Sequence, residues 1–473
     1  MNAINIGKRL EPFWDDFMID TERTTAFHRV MNPTYKGEIF TLDCGYEKAG
    51  LISYPVILKD DKGYKMYYSP WVMKPQFHVR FAVIESTDGI NWTRPNLAIF
   101  SCPELDDAGK PNNVVLERIP DGFSIFYDTN PDCPQNEKYK AIGAHHDGDK
   151  HELWCYTSGD GYHFTPQGCI CEDGTFDSAN TIFWKDGKYH CFFRGCHPPR
   201  EDRFYNVHKS ARDIRVTHST DFKRWEAPKE LSYVDGEDFE LYINNIMPYE
   251  RAPHILVGFP ARYCEREKWT DNFEQLGCVE EKKESMQIIE ARVGLAVSDG
   301  LFMTSRDGYT WTRYAEPFVA CDIETSKNWM YGDCYLAYGM VEASKDTYYM
   351  YAKDNSMAFG KEKHLGLYEI RKDGFACIMA DSEKKEVVTK PFIFEGSDLH
   401  LNFSTSAFGH IYVDLLDEEG NAIDGKTSFE IFGNSTDRRI SFEDGSSFKD
   451  YAGKPVRLRF RMRMAKLFSM WFD

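Results

Sequence analysis

An apolar run, a turn built on aspartate or glycine, and a second run rich in aromatic residues follow one another repeatedly along the chain. Tyr54 to Leu58 leads through Asp60 and Gly63 to Tyr64, Met66, Tyr67 and Tyr68. Asn113 to Leu116 leads through Asp121 and Gly122 to Phe123, Ile125, Phe126 and Tyr127, and Thr181 to Trp184 leads through Asp186 and Gly187 to Tyr189, Phe192 and Phe193. Less regular forms occupy 243–259 and 335–351. Each predicts a pair of antiparallel strands. Downstream lies a second signature in which serine, aspartate and glycine precede an aromatic residue. The copies are Ser86, Asp88, Gly89 and Trp92; Ser158, Asp160, Gly161 and Phe164; Ser219, Asp221 and Trp225, with Phe222 in the glycine position; Ser305, Asp307, Gly308 and Trp311; and a degenerate fifth at Asp373, Gly374 and Phe375. Asp-Gly supplies the positive φ of a tight turn and the aromatic packs back onto the sheet, so each copy predicts an outer hairpin. Two inner strands and one outer hairpin make a four-stranded unit, and radial repetition of such units limits exposed sheet edges. Five units predict an all-β fold, a five-bladed β-propeller over residues 1–381.

A polar stretch from Asp381 to Glu386 predicts a linker, after which the pattern changes. Ile411, Val413 and Leu415 alternate with Tyr412 and Asp414, and Val456, Leu458, Phe460, Met462 and Met464 alternate with Arg457, Arg459, Arg461 and Arg463. One face is buried and one solvated, which predicts a C-terminal β-sandwich over residues 382–473. The arginine row reads as a solvated face paired with acidic strands rather than a polyanion site. A charged insertion at 265–290 reads as helical.

Composition narrows the function. The chain has 473 residues, 15% of them aromatic, and carries 57 basic against 75 acidic residues for a net charge of −18. That balance argues against nucleic acid as a partner and favours a neutral or locally recognised small substrate. No run is long enough to cross a membrane and the first twelve residues lack the apolar core of a signal peptide, so a cytoplasmic location without a membrane partner is expected. Thirteen cysteines without the dense spacing of a disulfide scaffold read as reduced thiols. Cys169 and Cys171 are one residue too close for a zinc knuckle, Cys191 and Cys196 have four residues between them, neither is matched by a second pair, and no His-Glu-x-x-His spacing occurs, so no metal site is read from the sequence.

The segment Phe176, Asp177, Asn180, Phe183, Trp184, Gly187 and Tyr189 resembles the Arg-Asp-Pro…Phe-Trp…Gly-Lys-Trp stretch of the invertase and levanase family of glycoside hydrolases. Ser178 stands where that family has proline, Phe176 where it has arginine, and two additional residues precede Phe183. Phe239, Glu240 and Leu241 resemble its Trp-Glu-Cys, and the propeller is similar to that of the arabinanase and β-xylosidase family. Trp14, Asp15, Asp16 and Asp20 near the start and Gly453 to Phe460 near the end are similar to a bacterial group of invertase-like propeller proteins. The resemblance implies hydrolysis of short glycosides, furanosides among them, with Asp177 stabilising an oxocarbenium-like transition state and Glu240 as general acid. It implies no organic cofactor, and analogy alone adds a calcium or sodium ion in the channel.

Glycoside hydrolysis uses two carboxyl groups, one to protonate the leaving oxygen and one as nucleophile or base. Carboxylates just ahead of inner strands are the candidates: Asp43 and Glu47, Asp177, Glu237, Asp238 and Glu240, and Asp333. The aspartate-proline that carries the nucleophile in the arabinanase type is matched by Tyr54 and Pro55, which leaves Asp43, Glu47 or Asp16 for that role. The apolar neighbours of Glu240 and the carboxylates beside it are expected to raise its pKa. Asn112, Asn113, Asn180, Arg194, His197, Tyr242, Asn244, Trp329 and Tyr331 offer amide, guanidinium and aromatic groups suited to a sugar. Tyr54 in place of the nucleophile makes a sugar-binding propeller the first rival. A glycoside phosphorylase, its phosphate held by Arg203, Lys209 and Arg212, is the second. The sugar, the linkage, the stereochemical outcome and the oligomeric state stay open at the level of sequence.

Overall fold

The computed structural model describes residues 3–44, 47, 50–72, 78–102, 109–117, 122–147, 150–172, 174–198, 210–321, 329–354 and 362–473. The protein is almost entirely β. Among the described residues the α-helices are Val279–Ile288 and Ala291–Leu295, both within or directly after the charged insertion that reads as helical. The chain divides into two compact units, one of residues 1–32, 249–255 and 370–473, the other of residues 33–248 and 256–369.

Sheets that are antiparallel apart from the pairing of Ser232–Tyr233 with Thr310–Arg313 follow one another along the chain. Gly50–Asp60, Gly63–Val72, His78–Ser86 and Val114–Glu117 form the first, and Ser124–Tyr127, Tyr139–Asp147, Lys150–Ser158 and Thr165–Cys171 the second. Thr181–Lys185, Lys188–His197, Ala211–Ser219 and Lys229–Glu230 form the third. Met247–Tyr249, Ala252–Gly258, Met303–Ser305, Thr310–Arg313 and Ser232–Tyr233 form the fourth, whose chain also runs through a three-stranded sheet of Glu240–Leu241, Ala261–Glu265 and Ala296–Gly300. The fifth joins Val341–Glu342, Thr347–Asp354 and Lys363–Arg371 to a strand from far upstream, Thr34–Leu42.

Four serine-aspartate turns end the third strand of their sheets, at Ser86, Ser158, Ser219 and Ser305. In three of them the serine hydroxyl accepts the glycine N–H at 2.9–3.0 Å, while the aspartate accepts the next two backbone N–H groups. Those local bonds explain why the motif recurs whatever the sheet packs against.

Two parts of the repeat fold differently from their sequence reading. Residues 113–127 are not one hairpin: Val114–Glu117 pairs with His78–Ser86, and Ser124–Tyr127 opens the next sheet. Gly122, at φ +67, would place a Cβ 2.3 Å from the Ser178 carbonyl oxygen and 2.4 Å from that of Phe176, so close approach to the Asp177 loop, rather than a two-residue turn, demands glycine there. Asp373 is likewise no outer hairpin. It is fully buried in the smaller unit at φ 59, and the strand expected from it is supplied by Thr34–Leu42.

The smaller unit is dominated by an eight-stranded sheet in which Leu399–Leu416 pairs with Arg457–Phe472, placing Ile411 opposite Met462, Val413 opposite Phe460 and Leu415 opposite Leu458. All six of these side chains are buried. On the other face Asp414 receives Arg459 at 2.9 Å and Arg461 at 2.8 Å, and Asp20 receives Arg457 at 2.7 Å. Met464 departs from the expected alternation. A register shift opposite 405–410 gives it φ 43 and leaves it exposed, with Ala465 and Leu467 taking the buried positions.

The division also differs from a boundary at 381/382. Ala376–Ala380 and Lys385–Val388 both pair with Arg457–Phe472, and the Met464 N–H donates to the Asp381 carbonyl, so the polar stretch is a turn between strands of one sheet. Phe27–Val30 pairs with Ala376–Ala380, which ties the N-terminal segment to the same sheet.

Candidate active site

Four non-glycine residues of the larger unit, in or ahead of inner strands, lie in the left-handed region: Tyr54 (φ 45), Phe176 (φ 52), Asn245 (φ 44) and Cys334 (φ 65). Each such residue costs on the order of 1–3 kcal/mol, and strain of that kind persists where surrounding packing holds a particular arrangement. Here the surroundings are aromatic. Tyr54, Tyr263, Tyr331 and Tyr335 are buried in one cluster with Ala179 and Ile243, and Tyr242 packs against it with ring centroids 5.5 Å from both Tyr331 and Tyr335. Burial holds the Tyr331 and Tyr335 phenols well above their ordinary pKa, so they stay neutral.

Two arginines share the Tyr242 ring. Arg194 lies 4.3 Å and Arg212 5.3 Å from its centroid, and Arg212 also sits 4.6 Å from that of Tyr263. Each arginine carries a carboxylate. Arg194 Nη2 is 2.8 Å from Asp177 Oδ1 and donates to the Asp177 carbonyl at 2.7 Å, while Arg212 Nη1 donates to Glu240 Oε2 at 2.5 Å. Asp177 Oδ1 meets Arg194 as an ion pair without hydrogen-bond alignment, and the buried Arg194 Nε has no hydrogen-bond partner. The Asp177 side chain is 44% exposed and that of Glu240 is sealed, so Asp177 is open to an incoming molecule.

The remaining sequence candidates divide by what they touch. Asn180 donates to the carbonyls of Gly122 and Phe176 and so fixes the Asp177 loop. Asn113 donates to Tyr68 Oη and the Val83 carbonyl, Asn112 to the Phe100 carbonyl, and Asn244 to those of Ala179 and Phe192. Glu47 is fully buried and accepts from Tyr68, the Cys44 N–H and Arg94, and Asp43 is paired with Arg94 and Lys110. Those partners lie outside the tyrosine cluster. Asp16 is part of the smaller unit, where the His28 ring 2.9 Å away lowers its carboxyl pKa. His197 stands between Asp213 at 3.1 Å and Asp238 at 3.0 Å. Asp333 is buried, and its charge partly offsets the burial that lowers the Lys363 pKa to about 8. Trp329 is 46% exposed. Arg203 and Lys209 lie outside the described residues.

The setting of Glu240 differs from the expectation. Leu241 turns away into a separate apolar cluster, and the group against the carboxylate is the Arg212 guanidinium rather than like-charged carboxylates. Tyr263, Tyr335 and Glu265, which accepts from Tyr263 Oη at 2.7 Å, are additions that only the fold reveals.

Three groups of side chains have metal-ligand geometry among the described residues: Asp43, Cys44 and Glu47; Glu152, Cys169 and Glu172; and His197, Asp213 and Glu230. Arg94 and Lys110 occupy the first group and Arg215 occupies Asp213 in the third, while the second includes a thiol. None fits a calcium or sodium ion, which takes an all-oxygen cage.

No family model matches the chain and no curated protein matches it. Among solved structures it is similar to an N-acetylgalactosamine deacetylase from F. plautii in complex with blood group B trisaccharide, at 12% identity over 75% of this chain and 96% of that one, with a TM-score of 0.44. It is similar to a glycoside hydrolase at 10% identity over 72% and 92%, with a TM-score of 0.45. A fructofuranosidase from Schwanniomyces occidentalis complexed with fructosylnystose is 12% identical over 95% and 98%, with a TM-score of 0.39. Glycoside hydrolases recur among the similar structures.

Proposed function

We propose that the protein is a glycoside hydrolase that cleaves short glycosides, furanosides in particular, at the tyrosine-lined cluster of the larger unit. The observation that carries this reading is the shared Tyr242 ring, beside which two arginines, Arg194 and Arg212, hold the carboxylates Asp177 and Glu240. Aromatic faces suit the C–H faces of a sugar, and paired carboxylates suit the positive charge that develops as a glycosidic bond breaks. Asp177, open to the site, faces the developing oxocarbenium ion. Glu240, held by Arg212, serves as the anionic nucleophile or base. The furanoside preference rests on the invertase-like segment from Phe176 to Tyr189.

The accompanying fold reading is a five-bladed propeller for the larger unit and a sandwich for the smaller. It is supported by the five successive sheets and by closure of the fifth with an N-terminal strand. A cytoplasmic location goes with this reading, because the thirteen cysteines lack the dense spacing of a disulfide scaffold. No helix of the described residues is long and apolar enough to cross a membrane.

A screen of aryl and sugar glycosides, run with and without inorganic phosphate, tests the function. Hydrolysis at a rate independent of phosphate supports it. Turnover that requires phosphate would make the protein a phosphorylase, and sugar binding without turnover would make it a binding protein.

A further inference from the structure

Beside the tyrosine cluster lies a cavity of about 370 Å³, with Glu240 and Tyr263 in its wall. Strand alternation puts Glu240, Tyr263 and Ser298 on one face of the three-stranded sheet and Leu241, Arg262 and Asp299 on the other. The cavity lining is mainly apolar, from Phe239, Val297, Pro317 and Ala320, with half-exposed Trp329 among the lining residues. Arg262 and Asp299 also line it, but they are joined to each other by two bonds of 3.0 and 2.6 Å, and Arg262 lies 5.0 Å over the Phe239 ring. Burial raises the Asp299 pKa while Arg262 opposes the shift. A polyhydroxylated sugar ring would bury its hydroxyls here against apolar surface, at a cost of about 1–3 kcal/mol for each one left without a partner. A planar aromatic group would instead gain stacking on Trp329 and dispersion contact throughout.

A second observation points the same way. The two carboxylates at Tyr242 each have an oxygen committed to a guanidinium group, an arrangement that suits a leaving group able to depart with little protonation. An aromatic alcohol is such a group, because its oxygen leaves as a delocalised phenolate.

We propose that this cavity binds the aromatic aglycone of the substrate, so that the preferred substrates are aryl glycosides. The cavity assignment stands by itself, and the role as leaving-group pocket rests on the hydrolase reading. As the glycosidic C–O bond breaks, its electron pair stays on the phenol oxygen; Glu240 either takes a proton from the water that attacks the anomeric carbon, or bonds to that carbon itself until water attacks there and the ester C–O bond breaks to return the carboxylate, the proton of the water passing to the phenolate.

Two measurements separate the assignments. The first is binding of free 2-naphthol, followed by tryptophan fluorescence, to the wild-type protein and to Ala320→Trp and Ala320→Leu, whose added bulk projects into the cavity. Saturable binding weakened at least ~10-fold in whichever variant retains the wild-type circular dichroism is the expected result. The second is kcat/KM for methyl and aryl glycosides of one sugar, which should rise several-fold for each unit by which the phenol becomes more acidic. Absent 2-naphthol binding, binding indifferent to both substitutions, or methyl glycosides cleaved as fast as aryl ones would overturn the inference while leaving hydrolysis intact. If 2-naphthol binds as expected and no glycoside is cleaved, the cavity assignment survives and the hydrolase reading falls.

Discussion

Asp177 and Glu240 are each paired with an arginine, Arg194 and Arg212. Asp177→Asn keeps the volume of the side chain but removes the charge that faces the developing cation, so turnover should fall by at least ~100-fold, about 2.7 kcal/mol, in a variant whose thermal unfolding is unchanged. Wild-type turnover would remove Asp177 from the site. A second residue-scale prediction concerns His190 and His218, buried with ring centroids 4.6 Å apart. Burial lowers both pKa values from 6.5 to about 4. The folded pKa lies below the unfolded one, so their neutral-state stability is complete above 6.5 and is lost as pH falls towards 4. Each contributes up to about 3 kcal/mol by linkage. Urea midpoints measured from neutral to mildly acidic pH should fall, and His190→Phe, which keeps the stacking on Phe183, should flatten the decline. Asp177 was legible in the sequence as a carboxylate just ahead of an apolar strand. Arg212 could be named only as a phosphate ligand, because its pairing with Glu240 joins residues on different sheets, and Tyr263 was hidden by the break at Pro260 in its strand.

At the scale of single elements, turns with local chemistry were readable and long-range partners were not. The serine-aspartate turns satisfy their own backbone groups within a few residues, so the sequence contains their whole explanation. Asp373 carries the same dipeptide to a different end. It accepts from Tyr249 Oη at 2.6 Å, Arg251 at 2.9 Å and Ser469 Oγ at 2.7 Å, all within the smaller unit. Asp373→Ala should cost about 3–5 kcal/mol by stranding the Arg251 charge and the hydroxyls. Asp373→Gly relieves the positive φ and should recover only a small part of that loss. Chemical denaturation of both variants checks this, and a loss below about 1 kcal/mol in the alanine variant would mean that the network is dispensable. Clean alternation likewise made the long strands of the smaller unit legible up to Met464, where a register shift driven by the partner strand leaves no mark in the sequence.

For the molecule as a whole, the order of strands along the chain was readable, but the way the ends of the chain return was not. Phe27–Val30 and Ala376–Ala380 complete a sheet whose long strands come from the last quarter of the chain, a pairing that hydrophobic pattern cannot encode. A fragment of residues 1–381 keeps the pairing of Phe27–Val30 with Ala376–Ala380 but deprives Ala376–Ala380 of Arg457–Phe472, and it should aggregate or expose that edge to protease. A soluble, monomeric fragment with a cooperative unfolding transition would contradict this division. The central claim is that Glu240 acts as an arginine-held carboxylate in glycoside hydrolysis, and the most direct test is chemical rescue. Glu240→Ala, assayed on an aryl glycoside cleaved by the wild type, should lose at least ~100-fold in rate. Added azide should restore turnover and yield a glycosyl azide. A variant that keeps its rate, or one whose loss azide does not relieve while the fold is intact, would contradict the account.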